Sequence, residues 1–430
     1  MPAASGVFSL LQDKNSISVS FARQPVFDGK RRLWGYELFC VGNSESTPSG
    51  FPGENSVAIQ VQSSAYMSLQ QITGAGKKVI VDFSERSVLE RLPYVLPPVL
   101  AAVKVPENVS RKPSVMESLA RLKADGFLIV VGEFSGNAEC ALLYQLADIL
   151  SIDIRTIESA RLTALLAVAQ SYTASLMAMR VYDPAQFQMC ADTGFSLFHG
   201  PFFKSPDRMT VRKLSSNEVF RFNLLQFIET DDPDFGRLAA AIQADATISF
   251  RLLGYLNSAA FGFSQKIKTI QQAVALLGWR TVRNWLRVVL LTDMSQSKDA
   301  HELVLLSAQR GLFLELVARD HDFWGFDPEH LHLLGLFSLL DALLGMPMAE
   351  IVANLPLESK MKAALCRETH NEYLPLIQLV QCLEEARWDD SDRFIQQLNL
   401  DPAKIKAAFH TSVAWSSELE SLQSEKSANN

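Results

Sequence analysis

Glu37 stands near the end of Leu33-Trp34-Gly35-Tyr36-Glu37-Leu38-Phe39, a short run of apolar and aromatic residues suited to a strand. A strand end is where a β/α barrel places its chemistry. Carboxylates converging there would supply oxygen ligands for a divalent cation. One carboxylate is not a site, so the reading turns on its partners. Elsewhere, the five cysteines (Cys40, Cys140, Cys190, Cys366 and Cys382) lie far apart with no CxxC. They read as free thiols of a reducing compartment, not as disulfides or zinc ligands. Arg280, Arg283 and Arg287 recur at helical spacing and form a candidate interaction patch for an acidic partner. The plainer reading of the same arginines is the solvated face of an amphipathic helix.

The elements that must position Glu37 come from patterning. Eight β-rich runs recur: Ser18–Phe27, Leu33–Phe39, Lys78–Phe83, Ala101–Val105, Phe127–Phe134, Ile149–Ile154, Ser175–Val181 and Phe195–Phe198. Several are continuously apolar, as strands buried on both faces are. Helical stretches separate them: Val57–Gln71, Val115–Ala124 behind a Ser114 cap, Ser159–Tyr172, and Pro184–Thr193 behind an Asp183 cap. The first two strands meet in a hairpin around Asp28-Gly29. This alternation predicts a β/α barrel, with an open doubly wound sheet as the competitor. No GxGxxG follows a first strand, so a dinucleotide-binding version of that sheet has no support.

After Pro206 the strand signals stop. Amphipathic helices are predicted at Arg208–Phe227, from Asp232-Pro233, at Ile248–Leu256, behind a Thr269 cap up to Gly278, and at Arg280–Leu291. Further helices are predicted at Ala300–Arg319, Pro328–Leu344, Pro347–Ala353, Glu358–Arg367 and Tyr373–Ala386. The expected organisation is a flexible 1–16, a barrel over 17–207, an all-helical domain over 208–410 with 208–230 as connecting helix, and a flexible tail over 411–430. A chain of 430 residues fits two such domains. Its 48% apolar and 20% charged content is that of a globular protein. A net charge of −7 argues against broad electrostatic capture of nucleic acid. The N-terminus lacks a signal-peptide pattern and no apolar run is long enough to span a membrane, so a soluble, cytoplasmic protein is expected.

Ala22-Arg23-Gln24-Pro25-Val26-Phe27-Asp28 with Gly35-Tyr36-Glu37-Leu38 resembles the opening of EAL domains. Phe195-Ser196-Leu197-Phe198-His199-Gly200-Pro201-Phe202-Phe203-Lys204-Ser205-Pro206 resembles their closing segment. EAL domains are β/α barrels, and the active ones hydrolyse cyclic di-GMP with divalent metals. The resemblance implies a ligand position at each strand end. Glu37 matches the signature glutamate, while the following arginine falls on Val41. An asparagine ligand falls on Asp82 and a glutamate ligand on Lys104. Paired aspartates fall on Gly132 and Glu133. The lysine of a KxD strand falls on Ser151, with Asp153 retained. Two further glutamates fall on Met179 and Tyr182, and a glutamine falls on His199. An ammonium about 4 Å from a dication is repelled by about 8 kcal/mol at an effective dielectric near 20. Lys104 therefore converts a ligand into a repellent, and Gly132 offers no side chain. Glu37, Asp82, Lys104, Glu133, Asp153, Met179 and His199 are read as a vestigial pocket that holds no metal.

Leu252-Leu253-Gly254-Tyr255-Leu256-Asn257-Ser258-Ala259-Ala260-Phe261-Gly262, Ile270–Gly278 and Gly335–Gly345 resemble an HDOD domain. HDOD domains are relatives of HD metal phosphohydrolases that have usually lost the metal motif. The position of an HD pair falls here on Ser338-Leu339. His321-Asp322 spells HD but sits at a charged helix end, where a histidine serves as a cap or surface group. His330 and His332 are two apart and face different sides of a helix. His301, His370 and His410 are isolated.

Together these resemblances imply an EAL–HDOD signalling protein of bacteria: a TIM-like barrel followed by an all-α domain, not an enzyme and without a cofactor. The expected function is a protein–protein interaction scaffold in cyclic di-GMP-linked control of motility, biofilm or virulence. Expected partners are diguanylate cyclases, response regulators or a second copy of the chain, with no nucleic acid, no membrane and no cyclic di-GMP binding. The alternatives are a sensor that binds cyclic di-GMP without cleaving it, and a weak phosphodiesterase using Glu37, Asp82, Glu133 and Asp153.

Overall fold

Eight strands close into one barrel, in chain order. They are β1 (Ser20–Asp28), β2 (Leu33–Val41), β3 (Lys78–Asp82), β4 (Ala101–Pro106), β5 (Leu128–Gly132), β6 (Ile149–Asp153), β7 (Ser175–Met179) and β8 (Leu197–His199). The computed structural model describes residues 20–41, 77–155, 157–205, 216–228, 234–244, 248, 267, 269–294, 300–321, 325–353, 355 and 357–427. The helix expected at Val57–Gln71, all but the first residue of the one at Ile248–Leu256 and the motif from Leu252 to Gly262 lie outside those residues, as do Met1–Ser16 and residues 208–215 of the expected connecting helix.

Strand β1 runs antiparallel to both β2 and β8, and all the other pairings are parallel. The hairpin forms because Asp28 caps its own turn: one carboxylate oxygen accepts from the Lys30 and Arg32 amides at 2.8 and 2.9 Å. Because β1 is reversed, its early residues Arg23 and Gln24 sit at the same barrel end as the C-terminal ends of the parallel strands, with Gln24 paired to Glu37.

The period-2 alternation of the strands makes two apolar layers. Val26, Ile80, Ala102, Val130, Ile149, Met177 and Leu197 fill the barrel interior. Val79, Val81, Val103, Val105, Ile129 and Val131 face outward, beneath the surrounding helices. Those helices are α1 (Glu85–Leu89), α2 (Pro113–Ala124), α3 (Ala141–Leu146), α4 (Ser159–Ala169) and α5 (Pro184–Asp192). Asp183 caps α5 by accepting from the Gln186 amide at 2.8 Å, as its position predicts. The cap expected of Ser114 is not one: α2 starts a residue earlier, at Pro113, whose fixed φ suits the first helical position, and Lys112 precedes it without a side-chain cap.

The rest of the described chain is helical: α6 (Ser216–Ile228), α7 (Phe235–Ala244), α8 (Ile270–Leu277), α9 (Trp279–Met294), α10 (Ala300–Asp320), α11 (Pro328–Phe337), α12 (Leu340–Leu344), α13 (Met348–Ala353), α14 (Ser359–Leu365), α15 (Leu374–Glu384), α16 (Trp388–Gln397) and α17 (Pro402–Ser427). Helix α10 is buried on nearly every side, including Arg310, Glu315 and Gln309, and packs against α11 and α17. The tail expected to be flexible over 411–430 is instead helical as far as Ser427. Phe409 and Val413 anchor it in the core, and Ser416 and Ser417 are buried with their hydroxyls donating to the Val413 carbonyl at 2.9 Å. No helix among the described residues is long and apolar enough to cross a membrane.

Candidate functional site at the barrel mouth

Continuing the inward alternation one step past the interior layer places the chemistry-bearing residues. Two residues beyond Ile80 comes Asp82, beyond Ala102 comes Lys104, beyond Val130 comes Gly132, beyond Met177 comes Met179, and beyond Leu197 comes His199. Gly35 lies beside inward-facing Val26, so Glu37 joins them from β2. Gly35 must be glycine: an added Cβ would lie 2.3 Å from the Lys78 carbonyl oxygen.

Lys104 occupies the centre of this group. Its Nζ donates to Glu37 Oε1 at 2.6 Å and lies 3.3 Å from Asp82 Oδ1. Gly132 makes room for the lysine arm, since a Cβ there would sit 3.3 Å from Lys104 Cε. Glu37 is fully buried. Burial pushes its carboxyl up, but the Lys104 ammonium outweighs that and holds it below the ordinary carboxylate range. Burial likewise pulls the Lys104 ammonium down, and the Glu37 and Asp82 carboxylates more than reverse it, leaving Lys104 above its ordinary range. The pair is therefore charged on both sides at neutral pH.

His199 is buried as well, with Nε2 3.2 Å from Glu37 Oε2. Burial lowers its pKa, Glu37 only partly offsets this, and Lys104 and Arg180 lower it further, so the imidazole is neutral. The Glu37 contact lacks hydrogen-bond alignment: Glu37 Oε2 and both His199 ring nitrogens have no hydrogen-bond partner among the described residues. The remaining positions are not brought in. Asp153 is taken by Arg180 Nη1 and by the Arg155 amide at 3.0 Å. Ser151 turns its hydroxyl to the Val131 carbonyl at 2.9 Å. Glu133, in the left-handed region at φ 58°, is exposed, and its amide donates to Ser151 Oγ at 3.2 Å. Among the described residues no group of three or more His, Cys, Asp or Glu side chains is arranged to hold a metal ion.

A cavity of about 420 Å3 opens above Lys104 and Glu37. Its barrel side carries Arg155, Arg180 and Lys204, and its far wall comes from the helical region: Glu302, Gln309, Glu384 and Trp388. Sequence reasoning did not bring Arg180 or Lys204 to this cavity, nor its far wall. Lys204 lies in the quoted closing segment, but no local pattern pairs it with Glu384, 180 positions on.

The candidate basic patch does not form a solvated face. Arg283 and Arg287 are buried, Arg283 pairing with Glu329 at 2.5 Å, because α9 turns this side toward its neighbours in the helical bundle. The side chain of Arg280 lies outside the described residues. At the position expected for an HD pair, Ser338 Oγ accepts from Arg310 Nη1 at 2.9 Å and donates to the Gly335 carbonyl at 2.7 Å. His321 is structural: Nδ1 is 2.9 Å from the Val317 carbonyl and Nε2 accepts from the Asp401 amide at 3.1 Å. Its neighbour Asp322 lies outside the described residues. His332 is buried against Glu315, with Nδ1 2.8 Å from Oε2, whereas His330 is half exposed on the other side of α11.

The family model described as HDOD domain matches residues 215–366. Over its length the chain is similar to the uncharacterized protein YuxH of Bacillus subtilis, with 29% identity over 397 residues that cover 90% of this chain and 95% of the relative. It is also similar to the cyclic di-GMP phosphodiesterase CdgJ of Vibrio cholerae, with 26% identity covering 93% of each chain. Among solved structures, an EAL domain protein from Listeria monocytogenes shares 17% identity at a TM-score of 0.35, covering 47% of this chain and 93% of that one. Klebsiella pneumoniae BlrP1 in complex with calcium and cyclic di-GMP shares 16% at a TM-score of 0.34, covering 42% and 54%. An eight-stranded barrel is thus followed by a helical region that carries the HDOD match. The barrel mouth with Glu37 faces α10, α15 and α16, which form its far wall.

Proposed function

We propose that this EAL–HDOD protein is a non-catalytic regulator in cyclic di-GMP-linked signalling, working through protein–protein contacts. The observation that carries the reading is the Lys104 ammonium seated between Glu37 and Asp82. A cation already occupies the point where two carboxylates would bridge a metal, and it neutralises the charge that would attract one. Gly132 and Met179 supply no oxygen to replace it, and Asp153 is engaged by Arg180. The similarity to a relative named as a cyclic di-GMP phosphodiesterase supports the link to that dinucleotide's signalling. The partners this reading proposes, from the family resemblance alone, are diguanylate cyclases, response regulators or a second copy of the chain. The cytoplasm is the compartment this reading requires.

A second reading is favoured by one feature. Arg155 and Arg180 face the cavity beside a buried His199 with unsatisfied nitrogens, which suits a sensor that binds the dinucleotide without cleaving it. Purified full-length protein incubated with Mn2+ and cyclic di-GMP tests the proposal. No linear product is expected. Turnover that disappears in Glu37→Ala would overturn it, and saturable dinucleotide binding without turnover would select the second reading.

A further inference from the structure

The HDOD side of the cavity is held to the barrel by polar groups. Lys204 Nζ, from the segment that closes the barrel, donates to Glu384 Oε2 at 2.8 Å and lies 3.6 Å from Glu385 Oε1. Gln24 Nε2 donates to the Glu384 carbonyl oxygen at 2.9 Å. Tyr36 Oη donates to Glu302 Oε1 at 2.8 Å, and Arg23 stacks over the Tyr36 ring while reaching Ser417 Oγ at 3.1 Å. Glu384 is buried, and within its own domain it is gripped by Arg310, which donates from Nε and Nη2 at 2.8 Å each.

We infer that the helical domain is a hinged roof over the barrel mouth, latched by the Lys204–Glu384 contact. The asymmetry of the Glu384 partners makes the latch reversible. If the roof lifts, Glu384 keeps both bonds from Arg310, so this carboxylate is not stranded, and Lys204, at the edge of the cavity, passes into water. Polar contacts between domains exchange with water on opening more readily than apolar ones do. With the roof down, the mouth admits only what fits a cavity of about 420 Å3, and His199 is shut inside it. With the roof up, the mouth and the underside of α10 and α15 are both open to a partner. The gate is independent of whether the barrel is catalytic.

Diethyl pyrocarbonate labelling of the full chain, mapped residue by residue by mass spectrometry, tests it. His199 reports the mouth, His332 is a buried control inside the helical domain, and His330 is a half-exposed reference. In the native protein His199 should label far more slowly than His330. Lys204→Ala should speed labelling of His199 by about tenfold, the factor given by one charge-assisted bond of about 1.4 kcal/mol, and leave His332 unchanged. Gln24→Ala, which removes only a neutral bond, should give a smaller increase at the same residue. An unchanged His199 rate in both variants would overturn the inference. So would a parallel rise at His332, because that means general loosening and not a lifting roof.

Discussion

Lys104 and Glu37, 67 residues apart, meet at 2.6 Å with the carboxylate fully buried, so the barrel mouth is organised around an internal ammonium. Breaking such a pair from one side strands the other charge. Lys104→Met should destabilise the barrel by about 3–5 kcal/mol. Adding Glu37→Gln in the same chain should recover much of that loss, since no lone buried charge remains. Urea unfolding followed by far-UV circular dichroism measures both. Equal losses in the single and double variants would show that Lys104 matters for packing and not for charge.

Lys104→Glu should convert the mouth from a cation-holding site into a cation-requiring one. Three carboxylates, on β2, β3 and β4, would then converge with no internal counter-charge. The variant should be less stable than the native chain in metal-free buffer and should gain melting temperature on addition of Mn2+. A variant whose melting temperature ignores Mn2+ would mean that Glu37 and Asp82 do not approach closely enough to share a metal.

Acid should weaken the mouth in two stages. The folded-state pKa of His199 is lowered from an ordinary 6.5, and that of Glu37 from an ordinary 4.5. In both cases the unfolded chain takes up its proton at higher pH than the folded one. The stability each contributes is therefore present above the unfolded value and is lost as pH falls through the folded value. Stability should begin to decline below about pH 6.5, the ordinary histidine value, and decline further below the carboxylate range. His199→Gln should flatten the first stage. Urea midpoints between pH 8 and 5 measure it, and a native chain equally stable across that range would contradict the assignment of a neutral buried His199.

Gly35→Ala should cost about 1–3 kcal/mol or more, because the new methyl meets backbone, which cannot swing aside as a side-chain tip can. The thermal midpoint checks this. An unchanged midpoint would mean that β2 and β3 separate more easily than their register implies.

How much of this was legible in the sequence follows from how local each signal is. The strands and their order rest on apolar runs of five or so residues, and the caps at Asp183 and Thr269 rest on residues three apart, so both read correctly. The identity of the mouth residues came from the EAL-like end motifs, and the structure then gathered Glu37, Asp82, Lys104 and His199 but left Glu133 outside. Glu133 follows Gly132 in a left-handed turn, which a periodicity of two does not foresee. The arginines of α9 misled because charge at helical spacing normally marks a wet face, whereas here Arg283 finds Glu329 on α11. The full extent of the tail helix was missed because its Ser- and Glu-rich composition resembles that of a frayed end. What orders it is contact with α10 and β1, on no local signal at all.

Titration calorimetry of Mn2+ into the native, full-length protein tests most directly whether Lys104 has replaced the metal. No saturable heat is expected up to millimolar Mn2+. Sub-millimolar binding that vanishes in Glu37→Gln would contradict the central claim and return the mouth to the metal sites.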